Sequence, residues 1–194
     1  FFFPFESDFW RAMVYIDEAY SLDSLEEKIM ASQIGIGLAK FHFICSDLDS
    51  SKLKKSIKNF HNTNYYIDQY ISTLKGYDFK ELDDDSNKRI IDLNNSLYKH
   101  IGYVNNLLNY LSTKTFHQNV IHGDPKLSNF LFDVKYKYVV SLIDLDTVSS
   151  GCLLTDLADC IRSICNLAGE NNNVCFDITV FKYFLNGYFA IYEK

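Results

Sequence analysis

His122-Gly123-Asp124-Pro125-Lys126-Leu127-Ser128-Asn129, followed by Ile143-Asp144-Leu145-Asp146, is the stretch on which the fold turns. Asp124 and Asn129 lie five positions apart in a polar segment that reads as a loop. Phe130-Leu131-Phe132 and residues 138–143 read as two strands joined around residues 133–137, and Asp144 stands at the end of the second. A hairpin returns the chain beside its starting point, so the acid, the amide oxygen and the second acid can converge. Oxygen donors of this kind suit Mg²⁺, which takes few ligands from protein and the rest from phosphates and water. A further carboxylate is then needed to orient an attacking hydroxyl and accept its proton. The set suits phosphoryl transfer.

Around this segment the pattern is mostly helical. Residues 9–16 read as an aromatic, β-branched strand and residues 21–24 as a turn. Ser24 with Glu27 fits a capping box, which predicts a helix from there to about His42. Ile29, Met30, Ile34, Leu38 and Phe41 recur in it at helical spacing. Helical periods return at about 64–75, 86–112, 154–167 and 178–192. Asp83, Asp84 and Asp85 precede the second of these, where the helix dipole favours negative charge. They lack the spacing and glycine of a calcium loop. Lys52, Lys54, Lys55 and Lys58 read as a solvated face. Asn171-Asn172-Asn173 interrupts the periodicity between the last two of these stretches. The fold class expected is α+β, largely helical with one small β-hairpin insertion carrying the polar residues.

Composition excludes several classes. With 194 residues and 47% hydrophobic content, the chain can build one packed domain or a large piece of one. Twenty-five acidic against 19 basic residues, with no lysine-rich tract, argues against a nucleic-acid partner. No apolar run reaches membrane-spanning length. Five cysteines, an odd number with no C-x-x-C pair, predict reduced thiols in a cytoplasmic protein rather than a disulfide or zinc framework. The start at Phe1, without a basic n-region or an initiator Met, predicts a chain that begins inside a longer protein.

The H-x-D-x-K-x-x-N pattern, followed by a strand and Ile-Asp, resembles the catalytic and metal-binding loops of the protein-kinase-like fold. The glycine of His122-Gly123-Asp124 makes it similar to the aminoglycoside phosphotransferase and choline kinase branch. Ile143-Asp144-Leu145-Asp146-Thr147-Val148 and Asp156-Leu157-Ala158-Asp159-Cys160-Ile161-Arg162 look like the N-acetylhexosamine 1-kinase group. Asn59-Phe60-His61-Asn62-Thr63 and Phe9-Trp10-Arg11 are also similar to it. The resemblance spans residues 9–192.

By position, the resemblance implies that Asp124 is the catalytic aspartate and that Asn129 and Asp144 hold Mg²⁺. It places Lys126 near the transferred phosphoryl group of ATP, His122 in loop organisation, and Asp156 as the tie between the following helix and the catalytic loop. Ile16, Asp17 and Glu18 fall where the hinge meets adenine, and Asp146, Asp159 and Arg162 fall toward the sugar. Plainer readings stand beside these. Asp156 could be a helix cap, and Arg162 could pair with Asp159 at i, i+3. His61 and Asn62 could form only a turn, and Phe181, Phe184, Tyr188 and Tyr192 could be core alone.

The resemblance further implies that residues 1–22 are the last strand and hinge of an N-terminal lobe. Residues 23–194 would be the helical catalytic lobe, incomplete at its C-terminus. Only one strand is expected before the hinge, left without its pairing partners, and the fragment alone is expected to be inactive. The function implied is ATP-dependent phosphorylation of the anomeric hydroxyl of an N-acetylhexosamine. The alternatives are a kinase of choline, an aminoglycoside or another sugar, and a non-catalytic binding module.

Overall fold

The computed structural model describes residues 2–6, 8–76, 83–113, 118–168 and 175–192. In chain order the elements are β1 (Phe2–Phe5), β2 (Asp8–Arg11), β3 (Ala19–Tyr20), α1 (Met30–Ile44), α2 (Thr63–Lys75) and α3 (Asp84–Thr113). There follow β4 (Asn119–Ile121), β5 (Phe130–Asp133), β6 (Val139–Leu142), β7 (Ser149–Gly151), α4 (Leu153–Cys165) and α5 (Ile178–Tyr192). The expected α+β class, with short strands among helices, is what the chain forms. Two compact units result, one from residues 1–54 with 119–194, the other from residues 55–118.

In the first unit the core lies between α1, α5, α4 and the sheet β3-β5-β6. Ile34 and Leu38 repeat at i, i+4 on α1 and are fully buried. Phe130 and Phe132 alternate inward on β5 and meet them, as period-two patterning requires. Val180, Phe184 and Tyr188 supply the α5 face. This bears out the core reading of α5 for Phe184 and Tyr188. The β5–β6 ladder pairs Phe130 with Leu142 and slips at Leu131/Phe132. Antiparallel β4 and β7 pair Asn119 with Gly151 and Ile121 with Ser149.

Helices α1 and α5 approach through two glycines. A Cβ on Gly187 would lie 2.0 Å from the Ser32 carbonyl oxygen, and one on Gly35 would lie 2.2 Å from the Phe184 carbonyl oxygen. Both obstacles are backbone, so they cannot swing aside. Gly187→Ala gains about 1 kcal/mol of helix propensity. Forcing the two backbones apart costs more, about 3 kcal/mol at the upper end of overpacking effects. A net loss of about 2 kcal/mol is therefore expected in urea melts. Gly102→Ala in α3, where a Cβ meets nothing within 4 Å, should instead stabilise. Equal effects at the two positions would show that close approach does not matter at Gly187.

Several elements differ from their sequence expectations. Helix α1 starts at Met30, not at the Ser24–Glu27 box, and its cap residue Ile29 makes no side-chain bond. Glu27 instead faces Lys137 at 3.3 Å, beside Glu26 at 2.9 Å. The N–H groups of Met30, Ala31 and Ser32 bond three residues back, a 3₁₀-type lead-in that replaces the cap. The strand expected over 9–16 covers only Asp8–Arg11, and it has a partner, because β1 runs antiparallel to it with Phe3 opposite Trp10. Two strands, not one, precede residues 16–18. Beyond Arg11 the pairing stops, and Met13, Val14 and Tyr15 are exposed.

The second unit follows its periodicity closely. Asn62 caps α2 by accepting from the Tyr65 N–H at 3.1 Å. Asp83 caps α3, accepting from both the N–H and the hydroxyl of Ser86 at 2.8 Å. Those bonds hold the Asp83 carboxyl below its ordinary range. The helix-start reading of the three aspartates thus stands, and Lys52, Lys54, Lys55 and Lys58 are exposed as expected. Asn171-Asn172-Asn173 lies outside the described residues. All five cysteines are free thiols. Cys160 and Cys165 are buried, and burial pushes the Cys165 thiol up to about 11. No helix among the described residues is long and apolar enough to cross a membrane.

Candidate active site

The β4–β7 ladder sets the geometry. It closes the chain between Ile121 and Ser149, so residues 122–129 and 143–148 emerge side by side. The Ile143 N–H then donates to the Asn129 carbonyl at 2.9 Å, and the Thr147 hydroxyl donates to the His122 carbonyl at 2.9 Å. Gly123 turns the loop at φ 88°, where a Cβ would stand 2.5 Å from the Thr147 carbonyl oxygen. Only glycine fits that turn.

His122 is fully buried and its two nitrogens hold the two loops together. Nδ1 accepts from the Asp124 N–H at 3.2 Å, so the ring proton sits on Nε2 and is donated to the Ile143 carbonyl at 2.9 Å. Burial pushes the ring below its ordinary pKa, against the Ile143 carbonyl and the carboxylates of Asp156, Asp124 and Asp144. A neutral imidazole bonded at both nitrogens ties residues 122–124 to Ile143.

Asp156, also fully buried, grips the same loop from α4. Its Oδ2 accepts from the His122 N–H, and its Oδ1 accepts from the Gly123 N–H at 2.9 Å. A third donor is His42 Nε2 on α1, 2.9 Å from Oδ2. The Tyr188 hydroxyl on α5 lies 2.8 Å from His42 Nδ1. Neither His42 nor Tyr188 was singled out as functional from the sequence. A signal for His42 exists: it continues the Ile34–Leu38 stripe at i+4, and a histidine on a buried face needs a polar partner. The Ser163 hydroxyl, accepting from the Leu127 N–H at 3.0 Å, is a further tie from α4 that sequence reading missed.

On the open side of the loop stand the groups that can act on a ligand. Asp124 is partly exposed and its Oδ2 meets Lys126 Nζ at 2.7 Å. That bond, with the charges of Asp144 and Asp159 also facing it, raises the Lys126 pKa. Asn129 is nearly buried. Its Nδ2 donates to the Asp124 carbonyl at 2.8 Å, which reserves Oδ1 as an acceptor or ligand. Asp144 is exposed and left-handed, at φ 63° and ψ 59°, a strained conformation for a non-glycine residue and one concentrated at functional sites. One amide oxygen and one carboxylate fit a Mg²⁺ that draws its other ligands from phosphates and water. Among the described residues no cluster of three or more His, Cys, Asp or Glu forms a closed metal cage.

The other expected residues are placed as follows. Asp146 pairs with Arg11 of β2 at 2.7 Å. Arg162 pairs with Asp159 at 2.9 Å, the i, i+3 contact of the plainer reading. Ile16, Asp17 and Glu18 are exposed just before β3, and the Glu18 carbonyl accepts from the Val134 N–H at 3.0 Å.

The fold is similar to a crystal structure of an aminoglycoside-3'-phosphotransferase of type VIII, with a TM-score of 0.45 and 18% identity. The match covers 90% of this chain and 59% of that one, so this chain spans under two thirds of its length. Residues 8–192 match the model of the phosphotransferase enzyme family, APH, and the chain belongs to that family.

Proposed function

We propose that the protein carrying this chain transfers a phosphoryl group from ATP to the anomeric hydroxyl of an N-acetylhexosamine. The observation that carries the reading is the convergence of Asp124, Asn129 and Asp144 on two loops locked together through His122. Asp124 would orient the acceptor hydroxyl and take its proton. Asn129 Oδ1 and the Asp144 carboxylate would hold Mg²⁺, which when bound neutralises charge on the phosphate oxygens. Lys126, free to leave Asp124 because it is partly exposed, would offset charge on the transferred group. Ile16, Asp17 and Glu18 would meet adenine, with residues 1–22 as the end of an N-terminal lobe.

A neutral acceptor is favoured over choline or an aminoglycoside by the charge pairing around the loop. Asp146 is answered by Arg11 and Asp159 by Arg162, so two carboxylates that could have attracted a cationic amine already hold arginines. The resemblance of residues 143–148 and 156–162 points the same way.

The test offers the protein Mg-ATP with N-acetylglucosamine, N-acetylgalactosamine, choline and an aminoglycoside, and reads products by phosphorus NMR. A sugar 1-phosphate is expected. Phosphorylation of the amines alone would move the acceptor to the cationic class. No consumption of ATP with any of these acceptors, together with no binding of ATP, would remove the kinase reading.

A further inference from the structure

Tyr188 sits inside the core, 2% exposed, on the face of α5 turned to α1. Its ring stacks on Tyr192 at 5.3 Å and meets the His42 ring edge-on at 5.7 Å. A phenylalanine would fill the same volume. The hydroxyl therefore needs its own explanation, because a buried polar group without a partner is costly and this one has a partner in His42 Nδ1 at 2.8 Å.

The direction of that bond follows from what lies beyond the ring. His42 Nε2 faces Asp156 Oδ2, a carboxylate oxygen that can only accept. The proton is thus on Nε2. Burial, with the neighbouring Tyr192 and Asp156, pushes the phenol above its ordinary pKa and keeps it protonated. It donates to the bare Nδ1. In the opposite tautomer Nε2 and Oδ2 would face each other as two acceptors. In a doubly protonated ring the phenol hydrogen would have no acceptor among the described residues. One arrangement satisfies every group: Tyr188 O–H to Nδ1, Nε2–H to Asp156, and Asp156 to the N–H groups of His122 and Gly123.

We propose that the Tyr188 hydroxyl is a positioning group for the catalytic loop, fixing the His42 ring so that its Nε2–H holds Asp156 against the backbone of His122 and Gly123. Tyr188 touches no reacting atom. It acts through three buried contacts that run from α5 through α1 and α4 into the loop bearing Asp124. Asp156 alone can be held by its backbone donors, but the ring that supplies its third donor turns about Cβ–Cγ unless Nδ1 is also engaged. The activity part of the proposal rests on the phosphotransferase reading; the structural part does not.

The experiment compares the unaltered chain with Tyr188→Phe, labelled with ¹⁵N. In the unaltered chain His42 should show a bare, hydrogen-bonded Nδ1 and a protonated Nε2, with a slowly exchanging Tyr188 hydroxyl proton close to Nδ1. Tyr188→Phe should lose the Nδ1 hydrogen-bond signature. It should also speed amide exchange at His122 and Gly123 by about tenfold relative to Val120 of β4, the size of effect one buried hydrogen bond supports. In the active protein kcat should fall about tenfold while both KM values stay within twofold. A purely structural tyrosine would shift all three amides together and leave the imidazole signature alone. The proposal is overturned if Nδ1 carries the proton in the unaltered chain, which decides the matter even where the variant fails to fold. It is equally overturned if His122 and Gly123 exchange unchanged relative to Val120. Absence of turnover in the unaltered protein would overturn the phosphotransferase reading alone.

Discussion

Asp124→Asn should reduce phosphoryl transfer by about 10²- to 10⁴-fold, the range a positioned general base supplies, and leave the fold in place. In the proposed reading this carboxylate is the acceptor left to the substrate hydroxyl, beside the proposed metal ligands Asn129 and Asp144. Its side chain is partly exposed, and its ion pair is with the still more exposed Lys126. Such a pair contributes about 0–1 kcal/mol, so little stability is lost with it. The bond that shapes the loop, from Asn129 Nδ2, goes to the Asp124 backbone carbonyl and survives the change. If Asn129 and Asp144 hold the metal as proposed, the affinity for Mg-ATP should also survive, because the bond from Asn129 to the Asp124 backbone is kept. Initial rates and a thermal melt on the same preparation check both halves. Undiminished turnover would sink the assignment, and a collapsed melt would reassign Asp124 to structure.

Asp156→Ala should act on stability instead. It removes a fully buried carboxylate and strands three donors, the N–H groups of His122 and Gly123 and His42 Nε2. Breaking a buried charged network from one side costs about 3–5 kcal/mol. For a chain of this size that is a fall in Tm of about 6–20 °C. Asp156→Asn keeps the volume but sets its NH₂ against an N–H whichever way the amide turns, because both carboxylate oxygens accept. It should fall between the alanine variant and the unaltered chain. If Asp156→Asn melts with the unaltered chain, the polar satisfaction argued for Asp156 is wrong and only its volume matters.

How much of this was legible in the sequence depends on the reach of the interaction. Elements fixed by local contacts were readable. Helices α2 and α3 begin within two residues of their expected starts, because the capping side chains Asn62 and Asp83 bond only three positions ahead. The loop 122–129 and its return at Asp144 were readable because hairpin spacing brings them together. What failed was decided at long range. Ser24 and Glu27 have the right spacing for a cap, but Lys137, more than a hundred positions away, competes for Glu27. The strand 9–16 has strand composition throughout, yet only the part facing β1 pairs. The support beneath the loop of Asp124 was invisible for the same reason. His42 meets Asp156 and Tyr188 across 114 and 146 positions, and no periodicity reports such a contact.

The discontinuity of the first unit has a consequence for how the family can vary. Its two segments, 1–54 and 119–194, are joined in sequence by a stretch that holds neither the residues of the His42–Asp156–Tyr188 network nor the loop of Asp124. For the closure of the first unit, that stretch is the length of chain joining residues 54 and 119. Doubling such a length costs only about 0.6 kcal/mol, because closure entropy grows with its logarithm. Residues 55–118 can therefore lengthen or shorten at small cost to the closure of the first unit.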